Sequence, residues 1–413
     1  MTAPDRVTPG VRSLDIFLNH IKVGTLVSTP GHFNAFSFEP AYRAMERPPI
    51  LSLSFRTAEG GLRKDPRPVA RKLPAFFANL LPEGRLRQAM EKHHGDEVRP
   101  GNDFDLLAAL GPDLPGAIRA LPSDGFVAPA SRQLLLPPRA RFSLAGVQMK
   151  LSVMRNRSKG GLTLALGDAQ GQYIAKFPST TFPGVSENEF ACTALAEAIG
   201  IEVPPRELVG CDQFDGIPEE FQTFAQGQVL LLRRFDRGEG DQRIHIEDFA
   251  QVFGLAPSRK YDGAACHDIA LVLNAAVSPL AAIEFVRRLA LSAIIGNGDM
   301  HLKNWSLIYP DDGTCPALAP LYDMLSTIAY IPADRFALSL GGEQAFKALT
   351  PARWKAFARR ARLPEPAVVD AVRDTARHVD ARWWTLPERD MVPPAVRERI
   401  DTHVRTMLSV LSG

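Results

Sequence analysis

The stretch from Ile294 to Asn304, which reads Ile-Ile-Gly-Asn-Gly-Asp-Met-His-Leu-Lys-Asn, constrains this chain more than any other. An apolar helical pattern runs up to Ile295 and meets Gly296. Glycine suits a helix C-terminus because it enters the left-handed conformation without a Cβ clash. Beyond that stop lie Asp299 and Asn304, separated by four residues. Trp305 to Tyr309 follows as an apolar run of strand length, and Asp311-Asp312-Gly313 turns the chain. A second strand is expected to deliver Leu321-Tyr322-Asp323. An isolated Asp and Asn at this spacing are ordinary turn residues. The helix before them, the strand after them and the aspartate beyond a hairpin raise them above that.

Phosphoryl transfer asks little covalent help from a protein. It needs an in-line nucleophile, metal ions bridging the phosphates, and positive charge against the developing negative charge. An Asp five positions before an Asn fits a loop in which Asp299 orients a substrate hydroxyl and Asn304 holds Mg²⁺. Asp323 supplies a second hard oxygen donor of the kind Mg²⁺ prefers. Lys176 ends an apolar strand in Tyr-Ile-Ala-Lys-Phe-Pro, where its ammonium can meet phosphate oxygens; a solvent-facing edge lysine is the plainer reading. Its expected partner is a glutamate on the next helix, Glu189 with Glu187 as the alternate. Glu189 equally fits an S-x-x-E capping box with Ser186. Small residues in Phe142 to Lys150 would let backbone N–H groups approach phosphates, although the stretch is neither G-x-x-x-x-G-K nor G-x-G-x-x-G. His301 is placed either to orient the loop or to contact phosphate, and is not read as a base.

With 413 residues, two or three domains are expected. Leu14, Ile16 and Leu18 alternate with polar neighbours and, with Val23 to Val27, predict a hairpin; Ile50 to Phe55 predicts another strand. Helices are expected over Arg85 to His94 and Phe104 to Leu110. Residues 1–121 therefore form a small α+β unit, and the Pro-, Ala- and Ser-rich stretch 122–139 a linker or arm. Strands are then expected at Lys150 to Met154, Gly161 to Leu166, Gln172 to Phe177 and Val229 to Arg233, with a helix from Glu187 to Ile199. From Ile246 onward the chain is mainly helical. The fold class is α+β and two-lobed, with residues 140–237 as one lobe, 238–413 as the other, and a cleft between them.

Composition excludes several classes. The formal net charge of +2 lends little to direct nucleic-acid binding. Cys192, Cys211, Cys266 and Cys315 are far apart with no CxxC pair, so neither a zinc site nor a disulfide framework is expected. The polar first ten residues carry no signal-peptide core, and the apolar run Leu289 to Ile295 is too short to cross a bilayer. A cytoplasmic protein without membrane contact is the expectation.

The blocks together resemble the HipA family of serine/threonine-protein kinase toxins. Ser143 to Lys150 looks like its S-x-A-G-x-Q-x-K loop, Tyr173 to Pro178 its ATP-lysine strand, and Asn188-Glu189-Phe190 the start of its next helix. Arg234-Phe235-Asp236-Arg237 is similar to the R-F-D-R after its hinge. Glu247-Asp248-Phe249, Gln251 to Gly254 and Lys260-Tyr261 match a further block; Gly298 to Asn304 and Leu321-Tyr322-Asp323 match its catalytic and metal-binding segments. Asn79 to Gly84 and Gly111 to Ala117 resemble its N-terminal unit.

The resemblance implies an ATP- and Mg²⁺-dependent protein kinase of kinase-like fold. Asp299 would be the catalytic aspartate, and Asn304 and Asp323 the metal ligands. Lys176, Lys150, Ala145, Gly146, Val147, Gln148, Arg234, Phe235, His301 and Lys303 would contact ATP. Ser143 would be the autophosphorylated serine, with Ser152 as a lesser alternative. The family implies a helix-turn-helix antitoxin that carries any DNA contact, and a protein substrate such as an aminoacyl-tRNA synthetase. Arg233 stands where an acidic residue is common, and Met149 where a polar one is. The competing readings are a small-molecule phosphotransferase of the same fold, or a catalytically silent corepressor.

Overall fold

The computed structural model describes residues 12–29, 33–123, 150–155, 162–164, 171–215 and 227–412. The loop residues Ser143, Ala145, Gly146, Val147, Gln148 and Met149, and most of the expected linker, lie outside them.

Period-two alternation builds the first sheet. β1 (Ser13–Leu18) and β2 (Ile21–Ser28) form the expected hairpin, with Leu14, Ile16 and Leu18 buried on one face. Asn19 turns the chain at a φ of +54°, a conformation asparagine tolerates better than most residues. β3 (Phe33–Phe38), β4 (Val69–Ala70) and β5 (Ile118–Pro122) complete an antiparallel sheet in the order β4-β3-β2-β1-β5. α1 (Pro40–Arg43), α2 (Ala75–Ala78), α3 (Gly84–His94) and α4 (Asp103–Leu110) accompany it.

Ile50 to Phe55 is not the expected strand. Leu53–Phe55 is a single 3₁₀ turn, and Ser52 Oγ and Leu53 N–H donate to Glu247 at 2.6 and 2.9 Å. These groups find their partner in a distant part of the chain, so the alternating pattern has no sheet to join.

The second sheet runs β10-β7-β6-β8-β11-β9: β6 (Lys150–Arg155), β7 (Leu162–Leu164), β8 (Tyr173–Lys176), β9 (Arg206–Gly210), β10 (Phe214–Asp215) and β11 (Gln228–Arg233). Leu151, Val153, Ala175, Val229 and Leu231 from it share one continuous core with the first sheet. A separate core holds the helices: α5 (Val185–Ala198), α6 (Phe249–Val252), α7 (Cys266–Ala276), α8 (Pro279–Ile295), α9 (Pro351–Ala361), α10 (Glu365–Trp383) and α11 (Pro394–Ser412). Among these helices sits a third antiparallel sheet, β12 (His245–Asp248), β13 (Ser306–Tyr309) and β14 (Ala317–Leu318). β12 departs from the helical expectation. β14 is also shorter than foreseen, so Leu321 to Asp323 lie past its end.

α8 shows how local chemistry sets up the site. Ser278 Oγ accepts from Ala281 N–H, Pro279 fits the first turn, and Gly296 closes the helix at a φ of +74°. The chain then passes directly into the polar loop.

Candidate active site

The cleft between the lobes is a cavity of about 690 Å³. Lys150, Lys176, Asp299, Asn304 and Asp323 all line it. Lys150 and Lys176 are direct cross-strand partners on β6 and β8, so their side chains stand on one face of the sheet. Like charges facing each other repel. Asp323 relieves the repulsion: its carboxylate accepts from Lys150 Nζ at 2.8 and 3.1 Å and also from Lys176 Nζ.

Lys176 also donates to Glu189, which projects from α5 and is buried. The structure thus decides between the two readings of Glu189. α5 begins at Val185 with Gly184 before it at a φ of +71°, so Ser186 lies inside the first turn rather than at the cap. Its hydroxyl has no hydrogen-bond partner among the described residues. Glu189 is the lysine's partner and not half of a capping box.

Burial acts against charge on all these groups, and their neighbours decide the balance. Lys150 and Lys176 outweigh burial at Asp323 and hold its carboxyl well below the usual range. Asp323 and Glu189 outweigh burial at Lys176 and raise its pKa. At Lys150 burial wins, helped by the Lys176 charge, and its pKa falls. Asp323 itself has a φ of +52°, which is uncommon for a residue with a side chain. Asn297 Nδ2 supports that backbone by donating to Asp323 O at 3.2 Å.

The loop after α8 is tied internally. Asp299 N–H donates to Asn297 Oδ1 at 3.0 Å, and Asn304 Nδ2 donates to Asp299 O at 2.7 Å. The second bond uses the Asn304 nitrogen and leaves its oxygen as the atom suited to a cation. Burial raises the Asp299 carboxyl, opposed by the hydroxyl of Tyr261. His301 is pushed down to about 3 by burial and then by Lys260, so its ring is neutral. Phe235 and Tyr322 face each other in the cavity wall with ring centroids 5.7 Å apart.

Two cations expected at the nucleotide are engaged elsewhere. Lys303 Nζ donates to Glu83 at 2.7 Å and to Asn79 O at 3.1 Å, on the N-terminal unit. The Arg234 guanidinium grips Asp236 at 2.7 and 2.9 Å and turns towards Asp113. A buried cation binds its nearest carboxylate when water is excluded. Ser152 is buried; its hydroxyl donates towards Asp113 at 3.4 Å and accepts from Arg234 Nη1 at 3.4 Å. Arg233 is exposed, while its N–H and that of Arg234 are given to Pro205 O and Gln172 O.

Two lobes closing on paired lysines and two aspartates define a kinase-like α+β fold. The chain belongs to the HipA family: the HipA-like C-terminal domain matches residues 142–383 and the HipA N-terminal domain residues 14–121. It is 42% identical over 97% of its length to Y4dM of Sinorhizobium fredii, covering 98% of that protein, whose name proposes a kinase. It is 27% identical to the serine/threonine-protein kinase toxin HipA of Shewanella oneidensis, over 63% of this chain and 64% of that one. The solved complex of Shewanella oneidensis HipA, HipB and operator DNA contains a chain of the same fold. Its TM-score is 0.72 at 22% identity, covering 97% of this chain and 96% of that one.

Several contributors were quoted in the sequence only as parts of blocks. Tyr261 reaches Asp299, Glu83 reaches Lys303 of the loop after α8, and Asp113 and Asp236 organise Arg234 and Arg237. Their block membership was the available signal, and their partners were not legible from it.

Proposed function

We propose that this chain is an ATP-dependent serine/threonine protein kinase, the toxin of a toxin–antitoxin pair acting in the cytoplasm. The convergence of Lys150 and Lys176 on Asp323, across one cavity from Asp299 and Asn304, carries this reading. The two lysines meet ATP phosphates, and Lys176 keeps its position through Glu189. Phe235 and Tyr322 offer aromatic surface for a base. The backbone donors of Arg233 and Arg234 are already used, so base recognition falls to other groups.

Mg²⁺ fits the donor set. Asp323 and Asn304 offer hard oxygens, and Mg²⁺ usually takes one or two such ligands plus phosphate and water. Held by Asn304 and Asp323, such an ion would supply positive charge against the transferred phosphoryl group. Asp299 orients the acceptor hydroxyl and takes its proton. His301 is neutral and acts as a wall rather than a base.

The family supports a helix-turn-helix antitoxin as partner, with DNA reached through it, and an aminoacyl-tRNA synthetase as the kind of protein substrate. Ser143 is the proposed self-phosphorylation site, where added charge would repel ATP from its own loop. No described helix is long and apolar enough to cross a membrane.

The test is intact-protein mass spectrometry of the dephosphorylated chain with Mg²⁺ and ATP, beside Asp299→Ala, with peptide mapping. Phosphate appears at Ser143 in the wild type, and the variant is slower by about 10²- to 10⁴-fold. Equal rates in the two proteins would remove Asp299 from the reaction.

A further inference from the structure

Tyr261 lies 38 residues before Asp299 in the chain, yet its hydroxyl donates to Asp299 Oδ1 at 2.6 Å. The remaining hydrogen bonds of Asp299 among the described residues use its N–H and its carbonyl, and none falls on Oδ2. The tyrosine is held from several sides. Its ring meets His301 edge-on at 4.9 Å. The carbonyl of Lys260 accepts from Leu302 N–H at 3.1 Å, which pins this segment to the catalytic loop. Lys260 Nζ pairs with Glu83 at 3.0 Å. The tyrosine is nonetheless 46% exposed, at the mouth of the cavity. Burial, with Asp299 alongside, pushes the phenol well above its ordinary value, so it remains a donor.

We propose that Tyr261 is the acceptor-side positioning residue of phosphoryl transfer: its hydroxyl fixes Asp299 through Oδ1 and reserves Oδ2 for the incoming hydroxyl, while its exposed ring walls the acceptor's approach. The inference rests on the kinase reading. In the step it serves, the bond from the γ-phosphorus to the ADP oxygen breaks and a bond to the acceptor oxygen forms. The acceptor proton goes to Oδ2. A carboxylate rotating about its bond to Cβ would present either oxygen at varying angles. A hydrogen bond to a charged group, anchored to the same loop, removes that freedom where orientation governs the rate.

The experiment uses the full chain as enzyme, with ATP, Mg²⁺ and the Asp299→Ala chain as acceptor in trans. Acceptor and ATP are varied separately, and ATP affinity is measured by calorimetry. Tyr261→Phe keeps the ring and removes the donor. Its kcat falls about 10- to 100-fold, the effect of losing one hydrogen bond to a charged group in the transition state. Its KM for the acceptor and its ATP affinity stay near wild type. Tyr261→Ala shows the same loss in kcat and, without the ring, a raised KM for the acceptor. A Tyr261→Phe variant with wild-type kcat overturns the proposal, as does one that has lost ATP affinity, which would mark a merely structural role. A faster Tyr261→Phe also overturns it, because the phenol would then be occupying the acceptor's place. A wild-type chain that binds ATP but transfers nothing to any acceptor sinks the kinase reading instead.

Discussion

Two buried ion clusters flank the second sheet, and they are built from different cations. At the hinge, Arg234, Arg237 and Arg243 gather around Asp236 and Asp113. Gly116 N–H adds a bond to Asp236, and Arg237 also donates to Gly116 O and Leu114 O. In the cleft, Lys150 and Lys176 gather around Asp323 and Glu189. Arginine cannot shed its proton and presents a rigid fork, so the hinge cluster is a permanent weld between the N-terminal unit and the second sheet. Lysine is a mobile point charge that loses its proton when stranded, and the cleft cluster opens onto the cavity. The first arrangement suits holding a position, and the second suits exchanging one partner for a phosphate.

The largest effects come from crossing the two clusters. Asp323→Asn is expected to slow phosphoryl transfer by about 10²- to 10³-fold or more, with the folded state kept. The stranded lysines still have Glu189, cavity water and the option of deprotonation. Asp236→Asn is expected to do the reverse. It leaves buried guanidiniums that cannot neutralise themselves, a loss of about 3–5 kcal/mol in stability. Transfer per folded molecule stays near wild type. Urea unfolding and single-turnover transfer on both variants read the two axes. If Asp236→Asn lost transfer while remaining stable, the hinge cluster would belong to the reaction.

Glu247 sharpens the comparison because it is a buried acid with no cation paired to it among the described residues. It accepts from Ser52 Oγ, Leu53 N–H and Tyr309 O–H, and burial pushes it up to about 7 despite these three donors. Its folded value lies above its ordinary one near 4.5, so the folded state keeps a proton that the unfolded chain has released. Stability therefore falls as pH rises from about 4.5 to about 7, and is flat above. The full loss is roughly 3 kcal/mol. Glu247→Gln preserves an acceptor for two of the donors and can donate to Ser52. Denaturation midpoints across that pH window should converge for the two proteins at the acid end and favour the variant at neutral pH. Parallel curves would show that Glu247 does not titrate there.

These clusters also mark what the sequence could carry. The cleft pair Lys176 and Glu189 was legible because a strand end and a helix start sit 13 residues apart, close enough for local patterns to orient both. Asp299, Asn304 and Asp323 were legible from one spacing and one hairpin. The weld was not: Arg237 meets Asp113 across 124 residues, and no local period encodes that meeting. Ile50 to Phe55 failed for the same reason, since Glu247, its partner, lies 194 to 195 residues away. Alternation identifies a strand only when an adjacent strand is there to take its hydrogen bonds. For Ser186 and Glu189 the expected helix start, Glu187, falls two residues after the observed Val185, so Ser186 sits inside the first turn instead of at the cap, and of the two roles open to Glu189 the bond to Lys176 is the one formed.

Glu83 stands between the two kinds of cluster and gives the smallest effect. It belongs to the N-terminal unit, like Asp113, but its partners are Lys303 and Lys260 of the helical lobe. Its side chain is 27% exposed, so water screens both pairs and discounts their strength. Glu83→Gln should cost only about 1 kcal/mol in stability. Lys303 keeps Asn79 O, yet with Glu83 neutral its ammonium can lean towards the cavity it lines. The segment carrying Tyr261 loses one of its anchors at the same time. A kcat change of less than about tenfold is expected, larger than the stability loss would produce through unfolding alone. Transfer rates normalised to folded protein, measured beside Asp236→Asn, separate the two cases. An unchanged normalised rate would place Glu83 with the weld, and a shifted one would make the N-terminal unit part of the catalytic loop's support.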